Sequence, residues 1–339
     1  MRPRHHVLVC TNVRPAGNPR GSCGEKGGQE DFERLGGSFI VVVPAVASYV
    51  LAPKDGEFKA SIKTSFTFIN VEEGKILGLL GKNGTGKSTT INILSGFLQP
   101  CAGECLIYGE NTQLLTPETK RRIGFLIEGH VQYTFMNIHQ IEKFYSGFYE
   151  GWNSAPYWEL MSKLKVTPKQ KISSMSCGQR SQVALGLILA QNPDLLILDD
   201  FSMGLDPGYR RLFIDYMREY AKAEHKTVFV TSHIIQDMER LIDDVMIMDY
   251  NKILAQQPIG QFMNTFRQFN ISLADHNAVV DLDGIAVNIE RVKDKIEFYT
   301  YSTEEEVKGY LRNKGIGYNS FEEVKMSLED AFIGLTRKY

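Results

Sequence analysis

Residues Gly81 to Ser88 read Gly-Lys-Asn-Gly-Thr-Gly-Lys-Ser, the spacing G-x-x-x-x-G-K-[ST]. Glycines at those positions let successive backbone N–H groups curl around a polyphosphate, and a helix beginning at the end of the loop adds its positive pole. Lys87 brings a point charge to the β- and γ-phosphates, and the Ser88 hydroxyl is placed to ligate Mg²⁺. The candidate nucleotide contacts are Gly81, Asn83, Gly84, Thr85, Gly86, Lys87, Ser88 and Thr89. The flanking residues suit this chemistry. Lys75-Ile-Leu-Gly-Leu-Leu80 is an apolar run with the length of a buried strand, and Thr89-Thr-Ile-Asn-Ile-Leu94 starts a helix.

A second strand pattern, Asp194-Leu-Leu-Ile-Leu198, ends in Asp199-Asp200. Open α/β sheets bind ligands at the C-terminal edge of their strands, so both acids are candidates for a site. Asp199 there can hold the Mg²⁺ shell. Upstream, the polar turn Met175-Ser-Cys-Gly-Gln179 opens an apolar helical run over 180–190. Downstream, Gly204-Leu-Asp-Pro207 follows the acids, and Thr227-Val-Phe-Val-Thr-Ser232 reads as a further strand delivering His233.

The order and spacing of these segments, over roughly residues 60–258, resemble the nucleotide-binding domain of ABC transporters. By that resemblance Ser176, Cys177, Gly178 and Gln179 match the signature motif, and Asp206 matches the D-loop. His233 matches the switch histidine, and Ile123-Gly-Phe-Leu-Ile-Glu128 the segment ending in the Q-loop. The implied catalytic set is Asp200, His233, Glu128 and Lys87, with Ser88, Asp199 and Glu128 as metal ligands and ATP with Mg²⁺ as cofactors. Ser176, Gly178, Gln179 and Asp206 would contact nucleotide across a dimer. Three positions depart from the family's usual residues. Asp200 replaces a glutamate, shortening by one methylene a base that must come within about 3 Å of its proton. Glu128 stands for a glutamine, and Cys177 for the first signature glycine.

Composition fits this reading. A chain of 339 residues, 43% hydrophobic, can bury a full core plus a small extra domain. Its net charge of −2 argues against nucleic acid as a partner, because phosphate-backbone binding needs a basic face. The longest apolar stretch, Phe39 to Ala52, has 14 residues with Pro44 inside, against about 20 for a bilayer span. It reads as strand material, so a pore must come from another chain. The first 24 residues have no apolar core of a secretory signal. The expected location is therefore cytoplasmic, peripheral on the cytoplasmic face of the membrane.

Residues 5–35 additionally resemble the N-terminus of thioredoxin-like two-iron two-sulfur ferredoxins, with Cys10 and Cys23 at the matching spacing. Cys101 and Cys105 have the Cys-x-x-x-Cys spacing of the second pair in that family, and four thiolates can hold such a cluster. The competing reading, preferred here, makes Cys101 and Cys105 small residues of the turn and strand after the first helix. Five cysteines in a long chain of this kind are expected to be free thiols.

Three regions follow: a poorly integrated, ferredoxin-like leader over 1–38, a nucleotide-binding domain over 39–258, and an accessory α+β region over 259–339. The fold class is α/β, a P-loop NTPase of ABC type with antiparallel and helical subdomains and a small C-terminal extension. Tyr49 or Phe58 is a candidate to stack on adenine. Residues 130–174, rich in aromatics from Phe144 to Trp158, suit the helical subdomain, which in the family docks the permease. Phe269-Asn-Ile-Ser-Leu273 and Lys295 to Thr300 alternate like half-exposed strands, Glu304 to Arg312 reads as a helix, and Ser327 caps a last helix. The ending Ser327-Leu-Glu-Asp-Ala-Phe332 resembles the tail of ATPases that serve ABC-2-type exporters.

The function expected from these readings is an ATP-hydrolysing motor subunit of an ABC exporter, working as a homo- or heterodimer on a separate permease. A water between Asp200 and His233 would hydrolyse ATP. The alternatives are a nucleotide-gated switch of the same fold with little hydrolysis, and an iron–sulfur protein fused to an ATPase.

Overall fold

A computed structural model of the chain describes residues 38–44, 66–100, 105–127, 133–202, 204–250, 252–275 and 280–337. Cys10, Cys23, Tyr49, Phe58, Cys101 and Glu128 lie outside them.

The chain enters through β1 (Ser38–Pro44), which pairs antiparallel with β2 (Phe66–Glu72). β3 (Ile76–Gly81) leads into the phosphate loop and α1 (Lys87–Leu94). A short antiparallel pair, β4 (Leu106–Ile107) and β5 (Glu110–Asn111), precedes α2 (Pro117–Arg121) and β6 (Ile123–Leu126). The helical excursion that follows holds α3 (Ile138–Ser146) and α4 (Ser154–Lys163). α5 (Cys177–Ala190), β7 (Leu195–Asp199), α6 (Pro207–Ala223), β8 (Thr227–Thr231), α7 (Ile235–Leu241), β9 (Asp244–Asp249) and β10 (Lys252–Pro258) complete the part built on the central sheet.

The central sheet has the order β10-β9-β3-β8-β7-β6, parallel except for β10. Its strands are continuous apolar runs because both faces are covered, as expected of a parallel sheet. Successive side chains point to opposite faces. Ile76 and Leu80 of β3, Leu196 and Leu198 of β7, and Val228 and Val230 of β8 pack with α4, α5 and α6 on one side. Leu77, Leu79, Leu195, Ile197 and Phe229 pack with Ile91 and Leu94 of α1 on the other. Strand order sets the site, because β8 lies between β3 and β7. The loops after these three neighbours emerge side by side at one edge.

The C-terminal region comprises α8 (Ile259–Thr265), β11 (Arg267–Leu273), β12 (Asn288–Val292), β13 (Lys295–Thr300), α9 (Glu304–Asn313), β14 (Tyr318–Val324) and α10 (Leu328–Thr336). Its antiparallel sheet, in the order β12-β13-β11-β14, buries Phe269, Ile271, Ile296 and Phe298 against Val307 and Leu311 of α9. β11, β13, α9 and α10 answer the sequence patterns. β12 and β14 do not announce themselves: β14 is an edge strand whose mostly exposed, polar residues read as loop. α10 turns back onto the part built on the central sheet, sharing its core through Leu328, Ala331, Phe332 and Leu335. Among the described residues no helix is long and apolar enough to cross a membrane.

Candidate nucleotide site

The phosphate loop closes on itself before α1. Gly84 and Gly86 take φ of +80° and +106°, a left-handed backbone that glycine adopts without a Cβ penalty. Thr85 is buried, and its hydroxyl donates to the Lys82 carbonyl at 2.8 Å. α1 starts at Lys87 behind Gly86, with no side-chain cap and no acid in its first turn. Its leading N–H groups thus keep the anion-attracting character of a helix N-terminus. The helix begins two residues earlier than the apolar run alone suggests.

Lys87 is 7% exposed, and its ammonium donates to the carbonyls of Gly81 at 2.6 Å and Lys82 at 3.1 Å. Burial lowers its pKa, an effect that the nearby Asp200 and Asp199 charges partly offset. A desolvated ammonium held by two carbonyls at the helix start can serve as counter-charge to a bound anion. Ser88, one residue on, is exposed.

The acids stand at the end of β7. Asp199 is buried, and its Oδ1 accepts from the Thr231 hydroxyl on β8. Asp200 is also buried, with φ of +46°. Aspartate and asparagine occupy that region more readily than other residues with a Cβ. Its N–H donates to Thr231 at 3.2 Å, and its Oδ1 accepts from the His233 backbone at 2.8 Å. The His233 Nε2 lies 2.8 Å from Asp200 Oδ2. The two side chains are therefore in direct contact.

Ser176 and Gln179 form a capping box at the start of α5: Gln179 N donates to Ser176 Oγ at 3.1 Å, and Ser176 N to Gln179 Oε1 at 3.0 Å. Gly178 is packed against the next loop. A Cβ there would lie 2.4 Å from the Gly204 carbonyl oxygen and 2.8 Å from its carbon. Cys177 is exposed beside it. Asp206 is the exposed N-terminal neighbour of α6 and makes no side-chain cap. Ser176, Gln179 and Asp206 thus flank the buried Gly178 where α5 meets the 204–207 loop. Pattern reading missed Gln182 and Lys82. Gln182 is fully buried on α5 and donates to the Phe201 carbonyl at 3.1 Å, tying α5 to the residue after Asp200. Its polarity within an apolar helix is the signal that marks it. Lys82 lies at an unspecified position of the phosphate-loop motif, where no spacing argument reaches.

The oxygen donors present fit Mg²⁺, which takes one or two carboxylates plus phosphate oxygens in place of a full protein cage. Ser88 and Asp199 are of that type. Among the described residues no cluster of three or more His, Cys, Asp or Glu side chains is assembled for a metal. Cys105 is 1% exposed and burial pushes its thiol up to about 12, so it is poorly disposed to ligate as a thiolate. Cys105 and Cys177 are free thiols.

The ABC transporter family model matches residues 67–202. The chain is 32% identical over 218 residues to the bacitracin transport ATP-binding protein BcrA of Bacillus licheniformis, covering 63% of this chain and 71% of that one. It is 30% identical over 195 residues to the Nod factor export ATP-binding protein I of Cupriavidus metallidurans, covering 56% and 63% respectively. Among solved structures, an ATP-binding subunit of an ABC transporter superposes with a TM-score of 0.54 at 21% identity, covering 67% of this chain and 92% of that one. A dimeric ATP-binding cassette in a post-hydrolysis state gives 0.52 at 20%, covering 66% and 98%. These two similarities establish the shared fold. With the phosphate loop, the paired acids and the capped signature helix on one framework, and with this identity and coverage, the chain belongs to the ABC transporter family as one of its ATP-binding, ATPase subunits.

Proposed function

We propose that the chain is the Mg-ATP-driven motor of an exporter, acting as a nucleotide-sandwich dimer on a separate permease at the cytoplasmic face of a membrane. The observation that carries this reading is the convergence of Lys87, Asp199, Asp200 and His233 on the loops of three adjacent strands. In this reading Lys87 leaves the Gly81 and Lys82 carbonyls for the triphosphate, over the N–H groups that open α1. Ser88 and Asp199 would hold Mg²⁺, which would neutralise phosphate charge when bound. Asp200 orients and deprotonates the attacking water, with His233 fixing its carboxylate. A sandwich needs a complementary surface, and Ser176, Gly178 and Asp206 supply it to the second subunit.

Export is supported by the names of the bacitracin and Nod factor relatives and by the Ser327 to Phe332 ending that forms α10. A separate permease is supported by an exposed aromatic patch on the helical excursion. Phe135 is 70% and Phe148 64% exposed, and Phe144 packs edge-on against Tyr133 at 5.2 Å and Phe148 at 5.1 Å. Leu160 and Leu164 of the same segment are buried in the core. Contiguous exposed aromatics of this kind mark interaction sites.

Phosphate release by the full chain with Mg-ATP tests the motor. Turnover that disappears in Lys87→Ala supports it, and turnover unaffected by that change removes the site. Tight ATP binding without phosphate release would favour the gated switch.

A further inference from the structure

Lys82 joins the phosphate loop to the far end of the chain. Its ammonium donates to the carbonyls of Thr336 and Arg337, each at 2.7 Å. Those carbonyls close α10, and the last carbonyls of a helix lack intrahelical partners and carry its negative pole. A phosphate-loop cation thus caps the C-terminal helix. The backbone carbonyl of the same residue accepts from Lys87 Nζ at 3.1 Å and from the Thr85 hydroxyl at 2.8 Å. One residue therefore holds the catalytic lysine by its main chain and α10 by its side chain.

The other end of α10 is fastened to α7, which starts two residues after His233. Leu328 N donates to Glu239 Oε2 at 3.0 Å, and Gln236 Nε2 donates to Glu329 Oε2 at 2.7 Å. Between these attachments Leu328, Ala331, Phe332 and Leu335 are buried in the core that contains Met238 and Leu241 of α7. The helix also abuts the accessory sheet: a Cβ on Gly334 would lie 2.2 Å from the Tyr299 ring of β13. A cleft of about 480 Å³ separates these parts, lined by Gly81, Asn83, His233, Phe332 and Thr336 among others.

We propose that Lys82 is a positioning residue and α10 a strut, so that the accessory C-terminal region and the nucleotide site control one another. The proposal rests on the nucleotide reading above. When Lys87 exchanges the Gly81 and Lys82 carbonyls for phosphate oxygens, the peptide of Lys82 loses one of its restraints. Its side chain transmits that change to the last turn of α10. The same rod is anchored to α7, so its position bears on the spacing between the phosphate loop and His233. Linkage makes the effect reciprocal: if nucleotide alters the hold on α10, the hold on α10 alters nucleotide affinity by the same factor.

Hydrogen exchange followed by mass spectrometry on the full chain tests this, reading peptides that span 326–337 with and without saturating Mg-ATPγS. A fluorescent ATP analogue measures affinity in parallel. Exchange in the last turn of α10 should change several-fold on nucleotide binding. Lys82→Met should abolish that response and shift nucleotide affinity by about five-fold or more, the lower range of measured site-to-site couplings. Lys82→Arg, which keeps a cationic donor, should retain both. Unchanged exchange in α10 of a parent protein that demonstrably binds the analogue overturns the strut, and needs no variant to be read. Failure of the parent to bind the analogue at all would instead overturn the nucleotide reading. Wild-type behaviour in Lys82→Met would remove Lys82 from the coupling.

Discussion

His233 engages Asp200 through both carboxylate oxygens: its backbone N–H donates to Oδ1 at 2.8 Å, and its Nε2 stands 2.8 Å from Oδ2. A carboxylate only accepts, so the Nε2 contact places a proton on that nitrogen. The two contacts do different work. The backbone bond places Asp200 whatever residue occupies 233, whereas the imidazole bond aims and polarises the carboxylate. His233→Ala should therefore leave ATP affinity within a few-fold of the parent and lower kcat by about 10²-fold or more, the usual scale of acid–base assistance. Equal loss in affinity and turnover would mean that the histidine places nucleotide and not the carboxylate.

Asp200→Asn should keep the fold, because asparagine tolerates the φ of +46° at this position as aspartate does. It should lose the base and hold ATP without turning it over. In size-exclusion or ultracentrifugation, Mg-ATP should then drive this variant from monomer to dimer while ADP does not. A variant that stays monomeric at saturating ATP would count against the sandwich. Asp200→Glu is a different case: glutamate gains reach but is less at ease in the left-handed region. It should cost about 1 kcal/mol of stability by that conformational preference.

The residues that carry short-range information were legible before any coordinates. The phosphate loop, the strand ending in Asp199-Asp200 and the helix that opens after the polar turn at Ser176 each sit within a few residues of the pattern that reveals them. Contacts made by distant residues were not. Lys82 reaches Thr336 across 254 positions, and no periodicity connects the two. Gly178 was legible as a signature glycine, but its packing against Gly204 depends on how α5 meets a loop 26 positions on. Asp200 and His233 were both named as site residues, yet their direct contact follows from β7 and β8 being neighbours, which is a property of topology. Thr231, the residue that engages Asp199, was visible only as part of a strand.

The two thiols among the described residues make an internal comparison. Cys177 is exposed at the start of α5, while Cys105 is buried and its pKa is raised from 9.0 to about 12 by desolvation. At pH 8, maleimide should modify the Cys177 peptide quickly and the Cys105 peptide only on unfolding, as read by peptide mass spectrometry. The sign of the pH effect follows. The unfolded thiol ionises near 9 and the folded one near 12, so the term stabilising the fold is complete below about 9 and is lost as pH rises towards 12. Cys105→Ala should consequently lose less stability than the parent between pH 8.5 and 10.5 in denaturant titrations (about those values, to bracket the unfolded pKa). Identical pH profiles would contradict the burial argument.

Gly178→Ala separates packing from catalysis on the signature surface. The added methyl would meet the Gly204 oxygen at 2.4 Å, its carbonyl carbon at 2.8 Å and Leu205 Cδ2 at 2.9 Å. Two of those atoms are backbone and cannot rotate away, so α5 or the 204–207 loop must move. Overpacking of this kind costs about 1–3 kcal/mol, and a lowered melting temperature should report it. The displaced elements carry Ser176 and Asp206, the residues that face the second subunit in the proposed sandwich. ATP-dependent dimerisation should therefore weaken more than monomeric ATP binding, because Lys87 and the phosphate loop lie on other elements and keep their geometry. Cys177→Gly, at the exposed neighbour, should leave melting nearly unchanged. If Gly178→Ala melted and dimerised like the parent, neither the close approach of α5 to Gly204 nor the interface built on it would hold.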